Sequence, residues 1–128
     1  MKRVLLDHCT PKPLRRHLAE YHVRTCYAEG WATLRNGELL LTADAALFDV
    51  FITADQNLRY QQNLSSRRLS IIELPTNRLA LIEALAPSIR EALARASPGS
   101  YIQIPLPQRE PLTHYGMPPD SSGSTKKQ

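Results

Sequence analysis

Two short apolar runs, each followed by an aspartate, constrain this chain more than any other feature. The first is Val4-Leu5-Leu6 before Asp7, and the second is Val50-Phe51-Ile52-Thr53-Ala54 before Asp55. Each run predicts a buried strand that delivers a carboxylate at its C-terminal end, the edge at which open parallel sheets bind ligands. Two such strands side by side would bring two repelling carboxylates together. Because a divalent cation relieves that repulsion, the pair predicts a metal site.

Strands and helices alternate along the chain. Short apolar runs predict five strands, at 2–7, 22–26, 49–53, 69–74 and 101–104. Apolar residues at helical spacing predict three helices, at 11–20, 37–47 and 78–96, and the polar stretch 56–63 predicts a short helix or turn. This alternation predicts an α/β sandwich with a mostly parallel sheet.

Local signals refine the predicted helices. Thr10 is expected to cap the first helix, with Pro11 at its first position. Thr76 or Asn77 is expected to cap the last one, which Pro87 should kink or split. Thr42-Ala43-Asp44 repeats as Thr53-Ala54-Asp55 only 11 residues later. That spacing is too short for a repeated unit, so Asp44 is expected to be a solvated helix residue.

Composition indicates one domain without a membrane segment. At 128 residues and 42% hydrophobic, the chain is long enough for a single core. No apolar run approaches the roughly 20 residues of a membrane span, and the N-terminus lacks a signal-peptide core, so a cytoplasmic protein is expected. We predict a domain over 1–104 and a disordered Pro/Ser-rich tail over 105–128.

Cysteines and basic residues each leave alternatives open. Cys9 and Cys26 are the two cysteines, and reduced thiols are expected because the sequence carries no secretion signal. It has no Cys-x-x-Cys or Cys/His cluster, so a structural zinc site is not expected. Cys9 could line the site or be a small buried hydrophobe. The net charge is +4, which is compatible with nucleic-acid binding without requiring it. Tyr27 and Trp31 could stack on a base or anchor their loop.

The order of these pieces resembles the small PIN-like domains of the toxin-nuclease type found in bacterial toxin–antitoxin systems. The matching pieces are the run that ends at Asp7, the 27–31 loop, the helix opened by Gly37-Glu38, and the run that ends Thr53-Ala54-Asp55, followed by a strand and a long helix. The resemblance covers residues 1–104. It implies a PIN-like three-layer sandwich with helices on both faces of the sheet.

The resemblance also implies a chemistry and a set of site residues. Active members cleave RNA with Mg²⁺ or Mn²⁺, and the resemblance implies that the matching acids Asp7, Glu38 and Asp55 hold the metal and carry the catalysis. A homodimer and a cognate antitoxin are implied as partners. At two positions where further acids are expected, this chain has His8 and Asn77. Neighbouring polar side chains are candidates for binding the RNA, and they are Thr53, Gln56, Asn57, Arg59 and Asn77. The hydroxyl of Thr53 could instead orient a carboxylate.

Two other functions compete with a nuclease. His8 and Asn77, standing where acids are expected, are compatible with a degenerate PIN-like module that binds RNA or a protein partner. An aspartate at a strand end also serves as the phosphoacceptor of receiver domains. Those domains need a lysine after a late strand, and the lysines of this chain are Lys2, Lys12, Lys126 and Lys127, so this reading fits less well.

Overall fold

A computed structural model of the protein describes residues 2–58 and 67–106. Five strands form one fully parallel sheet in the order β2-β1-β3-β4-β5. Their bounds are β1 Arg3–Leu6, β2 His22–Thr25, β3 Val50–Thr53, β4 Ser70–Glu73 and β5 Tyr101–Gln103. All five predicted strands are confirmed, each within one residue of its predicted ends.

Helical segments connect the strands. They are a 3₁₀ helix at Lys12–Leu18, α1 at Asn36–Ala45, α2 at Leu79–Ala84 and α3 at Ala86–Arg95. The first predicted helix is therefore 3₁₀, and the expected cap at Thr10 is wrong. Pro11 holds the cap position without a side-chain hydrogen bond, because the buried Thr10 hydroxyl donates instead to the carbonyl of Ile52 across the sheet at 3.3 Å.

Two apolar cores lie on opposite faces of the sheet. Even-numbered side chains of β1, β3 and β4, such as Val4 and Ile52, pack with the 3₁₀ helix, α2 and α3. Odd-numbered ones, such as Leu5 and Phe51, pack with α1. Successive side chains of a strand point to opposite faces, and every residue of β3 and β4 is buried. The α/β three-layer sandwich with helices on both sheet faces is thereby confirmed.

The long predicted helix is split in two, as Pro87 predicts. Leu85 ends α2 and precedes α3, where Pro87 occupies the first turn. A proline fits there because the first backbone N–H groups of a helix have no partner within it. Capping by Thr76 or Asn77 is wrong, since Arg78 is the N-cap of α2. The Thr76 hydroxyl instead accepts the backbone N–H of Arg78 at 3.1 Å.

Two aspartates near the N-terminal edge of β3 and β4 have structural roles. Asp49 accepts the backbone N–H of Arg3 at 2.8 Å, at the edge opposite the predicted site. Asp44 is half-buried, and its Oδ1 accepts the backbone N–H of Leu69 at 3.0 Å. The expectation that Asp44 is simply solvated is therefore wrong, because the chain entering β4 needs an acceptor there.

Parts of two predictions lie outside the described residues. These are 59–66, which contain most of the predicted 56–63 turn, and 107–128, which contain nearly all of the predicted tail. Among the helices of the described residues, none is long and apolar enough to cross a membrane.

Candidate metal and nucleic-acid site

The parallel register aligns polar residues along the C-terminal edge of the sheet. Leu6 of β1 pairs with Thr25 of β2 and with Ile52 of β3, so the next position on each strand brings polar side chains together. Glu73 of β4 pairs with Thr53 on one side and with Gln103 on the other. We name these residues the polar edge row, which in spatial order is Cys26, Asp7, Thr53, Glu73 and Gln103.

Asp7 is held by three donors. Its Oδ2 accepts the Thr53 hydroxyl at 2.8 Å and the Cys9 thiol at 3.5 Å, and its Oδ1 accepts the backbone N–H of His8 at 2.7 Å. A carboxylate offers about four lone-pair sites, and the thiol is a weak donor. The half-buried carboxylate is therefore oriented by its neighbours while it keeps capacity for a cation.

One hydroxyl joins the two aspartates of the sequence prediction. Thr53 is 0% exposed, and its Oγ1 accepts the backbone N–H of Asp55 at 2.9 Å while it donates to Asp7. Asp55 in turn accepts the backbone N–H of Asn57 on Oδ1 at 3.0 Å, in an Asx turn. Of the two roles predicted for Thr53, this geometry favours orienting the carboxylate over contacting a phosphate.

Asp7 and Asp55 line the same cavity, of about 480 Å³. Its polar wall also includes His8, Cys9, Arg35 and Asn77. The apolar wall comes from α1, β3 and the segment after β3, and consists of Leu39, Leu40, Phe51, Ala54 and Leu58. Carboxylate and amide oxygens are the ligands that Mg²⁺ takes in proteins, so the donors around this cavity fit that ion.

The remaining predicted site residues stand apart from this cavity. Glu38 is exposed on the first turn of α1, next to the lining residues Leu39 and Leu40 but outside the lining itself. Gln56 donates to the carbonyl of Pro75 at 2.6 Å and lines a different cavity. Asn57 is exposed and outside the cavity lining, and its backbone N–H donates to the Asp55 carboxylate. Arg59 lies outside the described residues.

A further carboxylate of the polar edge row, that of Glu73, was not predicted from the sequence as a site residue. Glu73 ends β4, is 5% exposed, and accepts hydrogen bonds from the Tyr101 hydroxyl at 2.7 Å and from Gln103 at 3.1 Å. The prediction looked for a fourth acid in the loop after this strand. The available signal was a single charge inside the apolar run 69–74, which marks a buried carboxylate that requires partners.

Two aromatic residues of the 27–31 loop differ in their roles. Trp31 packs edge-on against Phe48, with ring centroids 5.8 Å apart, and it therefore anchors the loop to the α1 side of the sheet. Tyr27 is 80% exposed. Its side chain is free of the anchoring contacts of Trp31, so of the two it is the one available to stack on a base.

Both thiols have raised pKa values. Burial is the main cause that raises the pKa of Cys26 to about 12, and the Asp7 charge adds to it. Desolvation of the sulfur and the Asp7 charge also raise the pKa of Cys9, against a lowering by the backbone of Ala54. The protonated Cys9 thiol is consistent with its role as a donor to Asp7. No disulfide links the two cysteines, as expected.

We compared this chain with protein-family models, curated proteins and solved structures, and none of them matches it. The geometry of the polar edge row and of the cavity beside it is therefore what indicates a function.

Proposed function

We propose that this protein is a PIN-like ribonuclease of the toxin type that uses Mg²⁺ or Mn²⁺. The observation that carries the proposal is the shared cavity of Asp7 and Asp55. Two strands that are neighbours in a parallel sheet deliver these carboxylates to one 480 Å³ space at the ligand-binding edge. RNA is the proposed substrate, and a small antitoxin protein is the proposed partner.

The donors present suit a single hard cation. Mg²⁺ usually takes one or two carboxylates and keeps several waters, and Asp7 and Asp55 meet that requirement. Asn77, which lines the same cavity, adds an amide oxygen where a further acid would be expected. When bound, the ion would supply an activated water and neutralise the charge that develops on the phosphate.

Residues of the chain itself position the reacting groups. Thr53 fixes Asp7 and the backbone of Asp55 relative to each other through one buried hydroxyl. Arg35 reaches the cavity wall, and its Nη1 donates to the carbonyls of Ala32 and Leu34 at 3.0 and 3.1 Å. The remaining guanidinium donors of Arg35 are suited to hold a phosphate oxygen at the cavity mouth.

Glu38 is proposed as the third acid, acting from the rim of the cavity. Its helix contributes the two adjacent residues of the cavity wall, Leu39 and Leu40. From this exposed position its carboxylate could orient, or accept a proton from, a water at the mouth of the cavity. A role at the rim costs less than burial, because an exposed carboxylate keeps its hydration.

The position of Glu38 also supports a second candidate function, a degenerate module that binds RNA or a protein without cleaving it. Titration calorimetry with Mn²⁺ separates the two candidates. Binding that is lost in both Asp7→Asn and Asp55→Asn supports the nuclease, whereas no heat at millimolar metal supports the degenerate module.

Substitution of Asp55 tests the catalytic assignment directly. Asp55→Ala should abolish metal-dependent RNA cleavage and leave the circular dichroism spectrum unchanged, since Asp55 follows β3 instead of packing in a core. Glu91→Ala is the matched control, because Glu91 is an exposed carboxylate on α3 outside the cavity lining. Cleavage that persists at the wild-type rate in Asp55→Ala would refute the assignment.

A further inference from the structure

A second cavity, of about 200 Å³, lies on the β2 side of Asp7. Three of its lining residues offer three different metal-ligand types, namely the carboxylate of Asp7, the imidazole of His8 and the thiol of Cys26. One ligand atom from each lies within 4.8 Å of the others. We name these residues the thiol-side group. Among the described residues it is the one such group of three.

The register explains why Cys26 reaches Asp7 from 19 positions away in the chain. Cys26 directly follows β2, and its backbone N–H donates to the carbonyl of Leu6 at 3.2 Å. This bond continues the parallel pairing that joins Leu6 to Thr25. Cys26 is 1% exposed to solvent, lines the small cavity and packs in the α1-side core.

His8 already has the second contact typical of a metal-binding histidine. Its Nε2 lies 3.2 Å from the carbonyl oxygen of Leu34, and a carbonyl can only accept, so Nε2 carries the proton. In the neutral ring Nδ1 then holds the lone pair. Histidines that bind metals usually donate their other ring N–H to a carbonyl or carboxylate in this way.

We propose that the thiol-side group binds Zn²⁺ through Asp7, His8 and Cys26, in the smaller cavity, which shares Asp7 and His8 with the proposed Mg²⁺ cavity. Sulfur and imidazole favour zinc over magnesium, and three protein ligands leave the fourth tetrahedral position open for water. Bonds of about 2.0–2.3 Å place tetrahedral ligand atoms about 3.5 Å apart. The group must therefore close by about 1 Å, which the exposed His8 side chain permits.

The proton and charge balance of this site is simple. A coordinating thiol loses its proton outright, so Zn²⁺ binding releases the Cys26 proton to solvent. Thiolate and carboxylate together then neutralise the two positive charges of the ion. Lys12, which also lines the cavity, is exposed, and its ammonium can stay hydrated away from the ion.

Cobalt spectroscopy tests the site without reference to nuclease activity. The reduced full-length chain, stripped with chelator, is titrated with Co²⁺, which should produce a thiolate-to-cobalt charge-transfer band and the visible bands of a tetrahedral ion. Zn²⁺ should remove these bands at one equivalent, whereas millimolar Mg²⁺ should leave them in place. Absence of the charge-transfer band in the wild-type chain would overturn the proposal.

Matched cysteine variants identify the sulfur. Cys26→Ser should lose the charge-transfer band, and Cys9→Ser should keep it, because Cys9 lines the other cavity. His8→Ala should lower the affinity for Co²⁺ at least 10-fold. Because His8 is exposed, it can be replaced without unfolding the chain. A band lost in Cys9→Ser but kept in Cys26→Ser, or unchanged affinity in His8→Ala, would contradict the assignment.

Discussion

Replacing Thr53 by valine should both destabilise the fold and loosen the metal cavity. The substitution keeps the shape of the side chain and removes only the hydroxyl that donates to Asp7 at 2.8 Å and accepts the backbone N–H of Asp55 at 2.9 Å. Because Thr53 is fully buried, water cannot replace either bond. One carboxylate oxygen therefore loses its strongest donor, and one backbone N–H loses its acceptor.

The magnitude follows from the two bonds. A hydrogen bond to a charged group contributes about 1.5–3 kcal/mol and a neutral one about 1 kcal/mol. The new buried methyl group returns about 0.8 kcal/mol. The free energy of unfolding should therefore fall by about 2–3 kcal/mol, which leaves a domain of ordinary stability folded. The affinity for Mn²⁺ should fall about 10- to 100-fold, as for other lost partners of metal ligands.

Urea denaturation and Mn²⁺ calorimetry measure the two effects. Thr42→Val is the matched control, since the Thr42 hydroxyl only donates to the Glu38 carbonyl within α1 at 2.8 Å. That variant should stay within about 0.5 kcal/mol of the wild type and keep its Mn²⁺ affinity. Equal stability losses in the two variants, or an unchanged Mn²⁺ affinity in Thr53→Val, would refute the reasoning.

Two further predictions concern stability. Gly99 and Gly30 both have positive φ, of +79° and +82° respectively. A Cβ added at Gly99 would lie 2.9 Å from the carbonyl oxygen of Arg67, whereas a Cβ added at Gly30 would have no neighbouring atom within 4 Å. Gly30→Ala should lower the free energy of unfolding by about 1 kcal/mol, and Gly99→Ala should lower it clearly more because its Cβ would clash with Arg67. Equal urea midpoints for the two variants would contradict this clash. The raised pKa of Cys26, about 12 against 9.0 for an ordinary thiol, stabilises the fold below pH 9. That contribution should disappear between pH 9 and 12, at up to about 1.4 kcal/mol per pH unit, and Cys26→Ala should lack this alkaline loss in urea titrations.

Local patterns predicted the elements of this fold well. The apolar runs around Leu5 and Phe51 identify strands because side chains buried on both faces of a sheet leave no polar alternation. Pro87 marks the boundary between α2 and α3 because its ring cannot continue a helix. Capping was the weak point. Thr10 looks like an N-cap in sequence, but its hydroxyl bonds to Ile52, a strand 42 residues away, which local reasoning cannot see.

The candidate site was predicted in part. Asp7 and Asp55 were found because each ends an apolar run, and the parallel sheet brings both to one cavity. Arg35 and Cys26 were missed for a common reason. The position of each relative to Asp7 depends on the register of the strands and on the path of the chain between them. Neither can be predicted from the spacing of residues within a short segment. Glu38 was predicted from a resemblance, and the structure exposes it on the first turn of α1, next to the lining residues Leu39 and Leu40.

The position of β1 between β2 and β3 gives Asp7 two chemically different neighbours. On the β3 side it accepts the Thr53 hydroxyl and shares a cavity with the Asp55 carboxylate. On the β2 side it meets the sulfur of Cys26. One carboxylate cannot fully ligate an ion in both cavities at once, so on the two proposals above Zn²⁺ and Mg²⁺ compete for Asp7. Zinc would then inhibit cleavage by withdrawing a shared ligand, and Cys26→Ser should relieve that inhibition while it leaves Mg²⁺-dependent cleavage intact.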